Sequence, residues 1–444
     1  KGVKEGCAEG DCGACTVVIC ELDTENNITY KTVDSCLVFL PMIHGKQIIT
    51  VENLEHRIGK DVILHSVQKK LAENHGSQCG YCTPGIVMSL FGLYKSNKKI
   101  DKPMVEDALT GNLCRCTGYK PIIDSAIDVC TNKKDDHFTE KEHLIKELLT
   151  EINRNKETII LNHKEQKYII PFTLEEALVC RKKYPDAVII NGATDIALKQ
   201  TKKNEFIPVI IDLSHIAELK EIKHNNKNII IGSGVSVEKL KSAMELYYPG
   251  FEDVLKVFGS LQIRNLATVG GNIGSASPIG DTLPFLFVLN AIIETQNLNQ
   301  TRYIPVQDFI VDYRKTSLLP DELITNVIIR DSFECSIIKS YKVSRRKDLD
   351  ISTLSASFRL KLDNNGIVEN IVIAYGGMAA TTKRAAKTED FLFNKKWERQ
   401  TIDNAIQILK KEFTPISDAR AEAEFRTIAC GNLLLKFWSE TVCD

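Results

Sequence analysis

The chain has 444 residues, of which 43% are hydrophobic and 26% charged, with a formal net charge of −1. At roughly 100 to 200 residues per domain this predicts about two to four domains, each able to bury a core, and the composition excludes disorder and collagen. No apolar run approaches the ~18 residues that cross a bilayer, no signal-like start is present and no basic surplus suits nucleic acid, so a cytoplasmic protein without membrane or nucleic-acid partners is expected.

In chain order, residues 1–53 read as short β runs, clearest at TVVICEL (16–22) and KQIITVENL (46–54). The period then changes. Leu64, Val67 and Leu71 fall at helical spacing over 61–71, and Val87, Leu90, Phe91 and Tyr94 do so over 85–95. Two further helices are expected over 103–109 and 121–129, the latter opened by a proline that suits a first turn. Residues 131–167, crowded with Lys, Glu, Asp and Asn, predict a connector crossing solvent. From 168 to 331 strands and helices alternate, with AVIING (187–192), PVIIDLS (208–214) and NIIIGSG (228–234) as strands before a Gly- and Ser-rich segment at 268–281. Two alternating strands around the turn Asn364-Asn365-Gly366, then helices over 397–411 and 418–438, form a last region.

Cysteine is the informative residue: there are 14, most of them in the first third. A reducing compartment argues against a disulfide scaffold, which leaves metal ligation or reactive thiols. Cys7, Cys12 and Cys15 form CxxxxCxxC, with Cys36 following 21 positions later. That is the loop spacing of a plant-type two-iron, two-sulfur ferredoxin, and Gly6, Gly10 and Gly13 supply the backbone freedom to converge the thiolates. A zinc knot would show two short hooks instead. The second set, CGYC (Cys79, Cys82) and CRC (Cys114, Cys116), could by itself hold zinc or a second cluster, and two clusters in series make electron-transfer sense. Cys20, Cys130, Cys180, Cys335, Cys430 and Cys443 lack ligand spacing and are expected as small buried hydrophobes.

For a nucleotide, Gly232-Ser233-Gly234 lacks a third glycine because Val237 stands there, so it reads as a strand-to-helix turn. TVGGNIGSASPIGD (268–281) is a better candidate: Gly270, Gly271, Gly274 and Gly280 let amides approach a pyrophosphate, and Asn272, Ser275 and Ser277 add directional bonds. Taken alone it is equally a flexible loop. In IINGATDIAL (189–198) a buried strand ends at Asn191-Gly192, leaving the amides from Gly192 to Ile196 to meet an anion. Basic pairs such as Lys202-Lys203 and Lys395-Lys396, and the nine histidines, read as solvated or satisfied side chains.

KEGCAEGDCGACTVV, GSQCGYCTPGIVMSL and GNLCRCTGYKPI resemble the iron–sulfur region of the molybdenum hydroxylases, the xanthine dehydrogenase and aldehyde oxidase family. RNLATVGGNIGSASPIGDTLP, YKVSRRKDLDIS and TPISDARAEAEFR resemble that family's flavin domain and the domain after it, the last two being most similar to the small subunit of bacterial-type xanthine dehydrogenases. The resemblance implies a multidomain α+β chain: a truncated β-grasp ferredoxin-like domain (1–54), a four-helix [2Fe-2S] domain (55–130), a linker (131–167), an α+β FAD-binding domain of the PCMH, or vanillyl-alcohol-oxidase, type (168–333) and a C-terminal α/β sandwich domain (334–444). The truncation is expected because the family's hairpin precedes the first cysteine, whereas six residues precede Cys7 here.

The same resemblance implies that Cys7, Cys12, Cys15 and Cys36 ligate one [2Fe-2S] cluster and Cys79, Cys82, Cys114 and Cys116 another. It assigns the loop Ile189, Ile190, Asn191, Gly192, Ala193, Thr194, Asp195 and Ile196 to the FAD diphosphate, together with Ala267, Thr268, Gly271, Asn272, Gly274, Ser275 and Gly280. Phe258, Gly259 and Ile263 would lie near the flavin, Asp281 near the ribityl or adenosine side, and Leu323 and Ile324 would pack on the cofactor, with ordinary core an equal alternative for these two. Lys342 and Asp350 would border the acceptor approach, with Tyr313, Arg314 and 344–350 as acceptor determinants. Electrons would pass from molybdopterin on a partner large subunit, in a heterotetramer of two copies of each chain, through both clusters to FAD and NAD during purine oxidation. An aldehyde or N-heterocycle oxidoreductase is the alternative, and a zinc-stabilised interaction protein is the reading from a different class. With no molybdopterin region before Asp444, the hydroxylation chemistry is expected on the partner.

Overall fold

The computed structural model describes residues 2–96, 99–225, 227–331, 333 and 335–442, so Cys443 lies outside the described residues. The chain divides into two compact units, one of Lys1–Phe172, Val188–Ser214 and Gly259–Ala267, the other of Thr173–Ala187, His215–Phe258 and Thr268–Asp444.

In the first unit the strand Thr16–Leu22 lies between Ile28–Asp34 and Gln47–Ile49, antiparallel to both. Its side chains alternate between faces. Val18 and Cys20 join a core built on the helix Thr83–Lys95, while Val17 and Ile19 pack with Val33 and Leu266. The helix Thr83–Lys95 is buried nearly all round, because Ser66–Glu73, Lys102–Leu109 and Lys120–Thr131 also pack on it. These are the four helices expected among the cysteines. Each buried Leu, Ile or Phe of this core contributes about 1.5–3 kcal/mol. A second sheet of four strands, ordered 159–163, 166–170, 209–212 and 188–190, ends at the candidate diphosphate loop.

Two local expectations are corrected. The helix expected over 61–71 spans only Ser66–Glu73, because Asp61–Ile63 pairs antiparallel with His56–Ile58 and leaves Leu64 46% exposed. The connector expected at 131–167 holds the helix His137–Ile152, whose Phe138, Ile145 and Leu149 pack on the helical core while Asp136 caps its first turn.

The second unit has a five-stranded antiparallel sheet, ordered 222–225, 228–232, 323–330, 292–296 and 301–305. It also has a four-stranded sheet of Ser336–Val343, Leu354–Leu362, Val368–Gly376 and Lys383–Arg384. The turn at Asn364-Asn365-Gly366 joins the two central strands, with Gly366 at φ +74°. Helices Arg399–Glu412 and Ala423–Thr441 cover this sheet through Ile402, Leu409, Leu434 and Phe437. The last helix begins at Ala423, not at 418, because Asp418 is held by Arg426 and the Ala421 amide. The architecture is multidomain α+β, as expected. Among the described residues no helix is long and apolar enough to cross a membrane. Cys20 and Cys430 are buried as expected, Cys130 and Cys180 are half-buried, and Cys335 is exposed, at φ +55° in the turn before Ser336–Val343, where no core reaches it.

Candidate functional site

The first cysteine loop wraps its own sulfur atoms in amides. Glu9, Asp11 and Cys12 donate backbone N–H bonds to Cys7 Sγ at 3.4, 3.3 and 3.3 Å, and the Cys7 amide donates to Cys12 Sγ at 3.4 Å. Ala8, Gly10 and Gly13 take φ of +56°, +75° and +68° to allow this. At Gly13 a Cβ would also meet the Gly111 carbonyl at 2.1 Å. Cys15 and Cys36 bring their Sγ atoms to 3.3 Å, and this bond, then burial, pushes the Cys15 thiol far up. Asp34 beside them is raised well above its ordinary value, by desolvation first and Cys15 next.

The second set is also paired. The Cys79 thiol bonds Cys116, and the Cys82 thiol, pushed up to about 12 by burial and by Cys114, bonds Cys114. Cys82 precedes the helix Thr83–Lys95, and Cys114 and Cys116 precede Lys120–Thr131. Tyr119 Oη accepts the Cys114 amide at 2.7 Å, with Tyr119 at φ +65°. Among the described residues no three or more His, Cys, Asp or Glu converge as ligands of a single ion. Thiols gathered two by two, their sulfurs bonded by amides, fit a binuclear cluster in which each iron takes two cysteines. Both sets fit the group, since a cationic metal is the counterion that lets close thiols ionise together.

The two loops are bonded to each other. Leu113, the neighbour of Cys114, donates its amide to the Cys12 carbonyl at 3.1 Å. Asn112 Nδ2 donates to the Gly13 carbonyl and to Thr16 Oγ1, both at 3.1 Å. Asn112 Oδ1 accepts from Ser89 at 2.5 Å and from Gln262 at 3.1 Å. Gln262 also donates to Ser89 Oγ at 2.9 Å and to the Ala108 carbonyl at 3.1 Å, and Arg264 makes a two-pronged bond to Asp107 at 2.7 and 2.8 Å. Gln262 and Arg264 are fully buried. Spacing gave no sign of these residues, because their partners are about 150 positions away.

In the first unit, the strand Val188–Ile190 carries Ile189 and Ile190 and ends at Asn191. Asn191 Nδ2 is buried with no bond, a donor in want of an acceptor. A Cβ at Gly192 would meet the Leu266 carbonyl at 1.7 Å and the Ala267 amide nitrogen at 3.1 Å, which brings Ala267 against this loop. Ala193 takes φ +61°, and its carbonyl accepts from Ala197 at 2.8 Å; Thr194 and Ile196 are half-buried and Asp195 is exposed. Gly259, at φ +55°, and Ile263 are also half-buried here, with the Ile263 methyl in the space a Cβ on Gly10 would fill, at 2.8 Å.

In the second unit, Thr268 Oγ1 accepts the Gly271 amide at 3.1 Å and opens the short helix Val269–Gly274 where a loop was expected. Gly271 and Gly274 are exposed and present bare backbone, the latter above Ile324. Asn272 Oδ1 accepts from Thr282 at 2.6 Å, and Ser275 Oγ donates to the Asn272 carbonyl at 2.9 Å. Gly280 is buried against Leu283. Asp281 is buried, with Oδ1 on Ser352 Oγ at 2.5 Å and Oδ2 on Lys342 Nζ at 2.9 Å, while Lys342 also reaches the Val257 carbonyl at 2.8 Å beside half-buried Phe258. Two of the three Lys342 donors are thus spent within the protein. Leu323 is 1% exposed and Ile324 9%, so Leu323 behaves as ordinary core. Asp350 accepts the Arg346 amide at 2.8 Å; burial pushes its carboxyl up, but the Arg346 bonds outweigh this and hold it below its usual range. Tyr313 is exposed and Arg314 takes φ +52°. The unbonded buried donor of Asn191 and the bare glycine backbone at Gly271 and Gly274 are each, taken separately, features that suit a phosphate.

Comparisons with known proteins follow the same order along the chain. Residues 50–127 match the family model of a [2Fe-2S] binding domain, 163–330 that of the FAD binding domain in molybdopterin dehydrogenase, and 339–441 that of the CO dehydrogenase flavoprotein C-terminal domain. The chain is 33% identical to xanthine dehydrogenase of Oryza sativa subsp. japonica, over 98% of this chain and 37% of that protein. It is 31% identical to xanthine dehydrogenase of Emericella nidulans, over 93% of this chain and 34% of that protein. It thus spans little more than a third of these curated relatives. Among solved structures, a Cu,Mo-CO dehydrogenase chain is similar in fold, with TM-score 0.57, 22% identity and coverage of 61% of this chain and 94% of that one. Quinoline 2-oxidoreductase from Pseudomonas putida 86 gives TM-score 0.58, 21% identity and coverage of 63% and 98%. Cys79, Cys82, Cys114 and Cys116 thus lie inside the iron–sulfur match and the loops at 189–196 and 268–281 inside the FAD-binding match, with Cys7, Cys12, Cys15 and Cys36 preceding both, and the chain belongs to the molybdenum hydroxylase family.

Proposed function

We propose that this chain is the electron-transfer subunit of a cytoplasmic xanthine dehydrogenase, carrying electrons from molybdopterin on a partner large subunit, in a heterotetramer of two copies of each chain, toward NAD. The observation that carries the reading is the pairing of eight thiols into two sets of four in one compact unit. Bound there, iron–sulfur clusters pass single electrons, and FAD exchanges them for the two-electron hydride of NAD. Cys7, Cys12, Cys15 and Cys36 would hold one cluster, with the amides of Glu9, Asp11 and Cys12 lowering the cost of thiolate charge. Cys79, Cys82, Cys114 and Cys116 would hold the other. Asn191 would give its free donor to the FAD diphosphate, Gly192 would let backbone approach, and Gly271 and Gly274 would offer amides without side chains in the way. Asp281, fixed by Lys342 and Ser352, would orient the sugar side of the cofactor.

The test is anaerobic purification with metal analysis and visible absorption. Two clusters and one flavin per chain are expected, with NADH oxidation by an artificial acceptor and no xanthine turnover until the large subunit is added. Zinc in place of iron in a colourless protein would overturn the cofactor reading. Turnover of aldehydes or N-heterocycles in place of purines by the complex would move the substrate assignment to those relatives.

A further inference from the structure

Composition and spacing leave Lys202 as a solvated surface cation, yet the structure places its ammonium on the first cysteine loop. Lys202 follows the helix Ala197–Thr201, which itself follows the candidate diphosphate loop. Its Nζ donates to the Cys7 carbonyl at 3.0 Å and pairs with Glu9 Oε2 at 3.3 Å. The partners are more than 190 positions apart, and both side chains are a little over two-fifths exposed. Around Cys7 the loop carries Glu5, Glu9 and Asp11, an acidic surround for sulfur ligands that are themselves anionic when they hold iron.

We propose that Lys202 sets the reduction potential of the centre held by Cys7, Cys12, Cys15 and Cys36. This inference rests on the cofactor reading above. Reduction adds one negative charge to a site already negative, so a cation bonded to a ligand's own carbonyl stabilises the reduced form more than the oxidised one. Loss of Lys202 removes that cation and also leaves the Glu9 carboxylate without its counterion, two changes that favour the oxidised form. Solvent screens a pair exposed to this degree, which keeps the effect moderate. Lys202 is a positioning and charge-setting residue and carries no electron itself.

The experiment is a redox titration of the iron-loaded chain, followed by the electron paramagnetic resonance of the two clusters, for K202M, K202R, E9Q and the double variant E9Q/K202M. For K202M we expect one midpoint potential to fall, by a three- to tenfold change in the reduced-to-oxidised ratio at fixed poise, about 30 to 60 mV for a one-electron couple. The second midpoint should stay in place. K202R should keep the wild-type value, E9Q should raise it, and the double variant should return toward wild type because the net charge is restored. Unmoved midpoints in both K202M and E9Q, with iron content intact, would overturn the proposal. A double variant no closer to wild type than K202M would also overturn it, by showing that the Cys7 carbonyl bond and not the charge matters. If the unaltered chain binds no iron, the cofactor reading fails instead, and iron analysis separates the two cases.

Discussion

Asp136 accepts four bonds: from His65 Nε2 at 3.1 Å, Lys95 Nζ at 3.2 Å, and the Thr139 amide and hydroxyl at 2.7 and 2.9 Å. Burial pushes its pKa up, but the bonds to His65 and Thr139 and the charge of Lys95 outweigh that and hold it below the ordinary value. A carboxyl depressed in the folded state contributes stability that is fully present above the unfolded value of about 3.9 and is lost as pH falls through the folded one. Asp136→Asn should therefore cost about 2 kcal/mol at neutral pH, since His65 and Lys95 lose a bonded carboxylate while Glu142 Oε1 stays 3.4 Å from Lys95. The difference from wild type should shrink as unfolding is measured at successively lower pH below about 4. An equal loss at pH 3 and pH 7 would contradict this account. At this scale legibility followed distance along the chain. Cys7, Cys12 and Cys15 could be read because ligand spacing is local, whereas Gln262, Asn112 and Lys202 take partners from remote segments and have no period to betray them.

Among the elements, the helix Thr83–Lys95 shows how a local preference is overruled. Glycine inside a helix ordinarily costs about 1 kcal/mol relative to alanine. At Gly85, however, a Cβ would meet the Gly13 carbonyl at 2.0 Å, and backbone cannot step aside cheaply. Gly85→Ala should therefore lower the thermal midpoint and impair iron retention, where helix propensity alone would raise the midpoint. A gain in midpoint would show that the Gly13 loop yields freely. The apolar spacing of Val87, Leu90, Phe91 and Tyr94 made this helix legible, and the turn at Asn364-Asn365-Gly366 made the late hairpin so. The helix His137–Ile152 was hidden because its polar majority masks the few apolar positions that pack inward, buried Leu149 and half-buried Phe138 and Ile145. The strand Asp61–Ile63 was hidden because Leu64 kept step with Val67 and Leu71 while remaining outside the core.

For the molecule as a whole, the order of iron–sulfur, flavin and C-terminal regions was legible because each carries short motifs, while the network that binds the first two cysteine loops was not. Removal of iron by a chelator should raise amide hydrogen exchange across 4–16 and 77–118, where amides bond sulfur or the opposite loop, and leave the strands Leu354–Leu362 and Val368–Gly376 as protected as before. Uniform deprotection of the chain would show that the metal supports the second unit as well.

The Leu113 amide resting on the Cys12 carbonyl has a consequence for how the protein matures. Filling either sulfur nest with metal stiffens one rim of the other, so the second insertion meets a loop that has already surrendered part of its freedom. Assembly along such a seam should be cooperative, and a stepwise iron titration of the apo chain is expected to show few half-loaded chains.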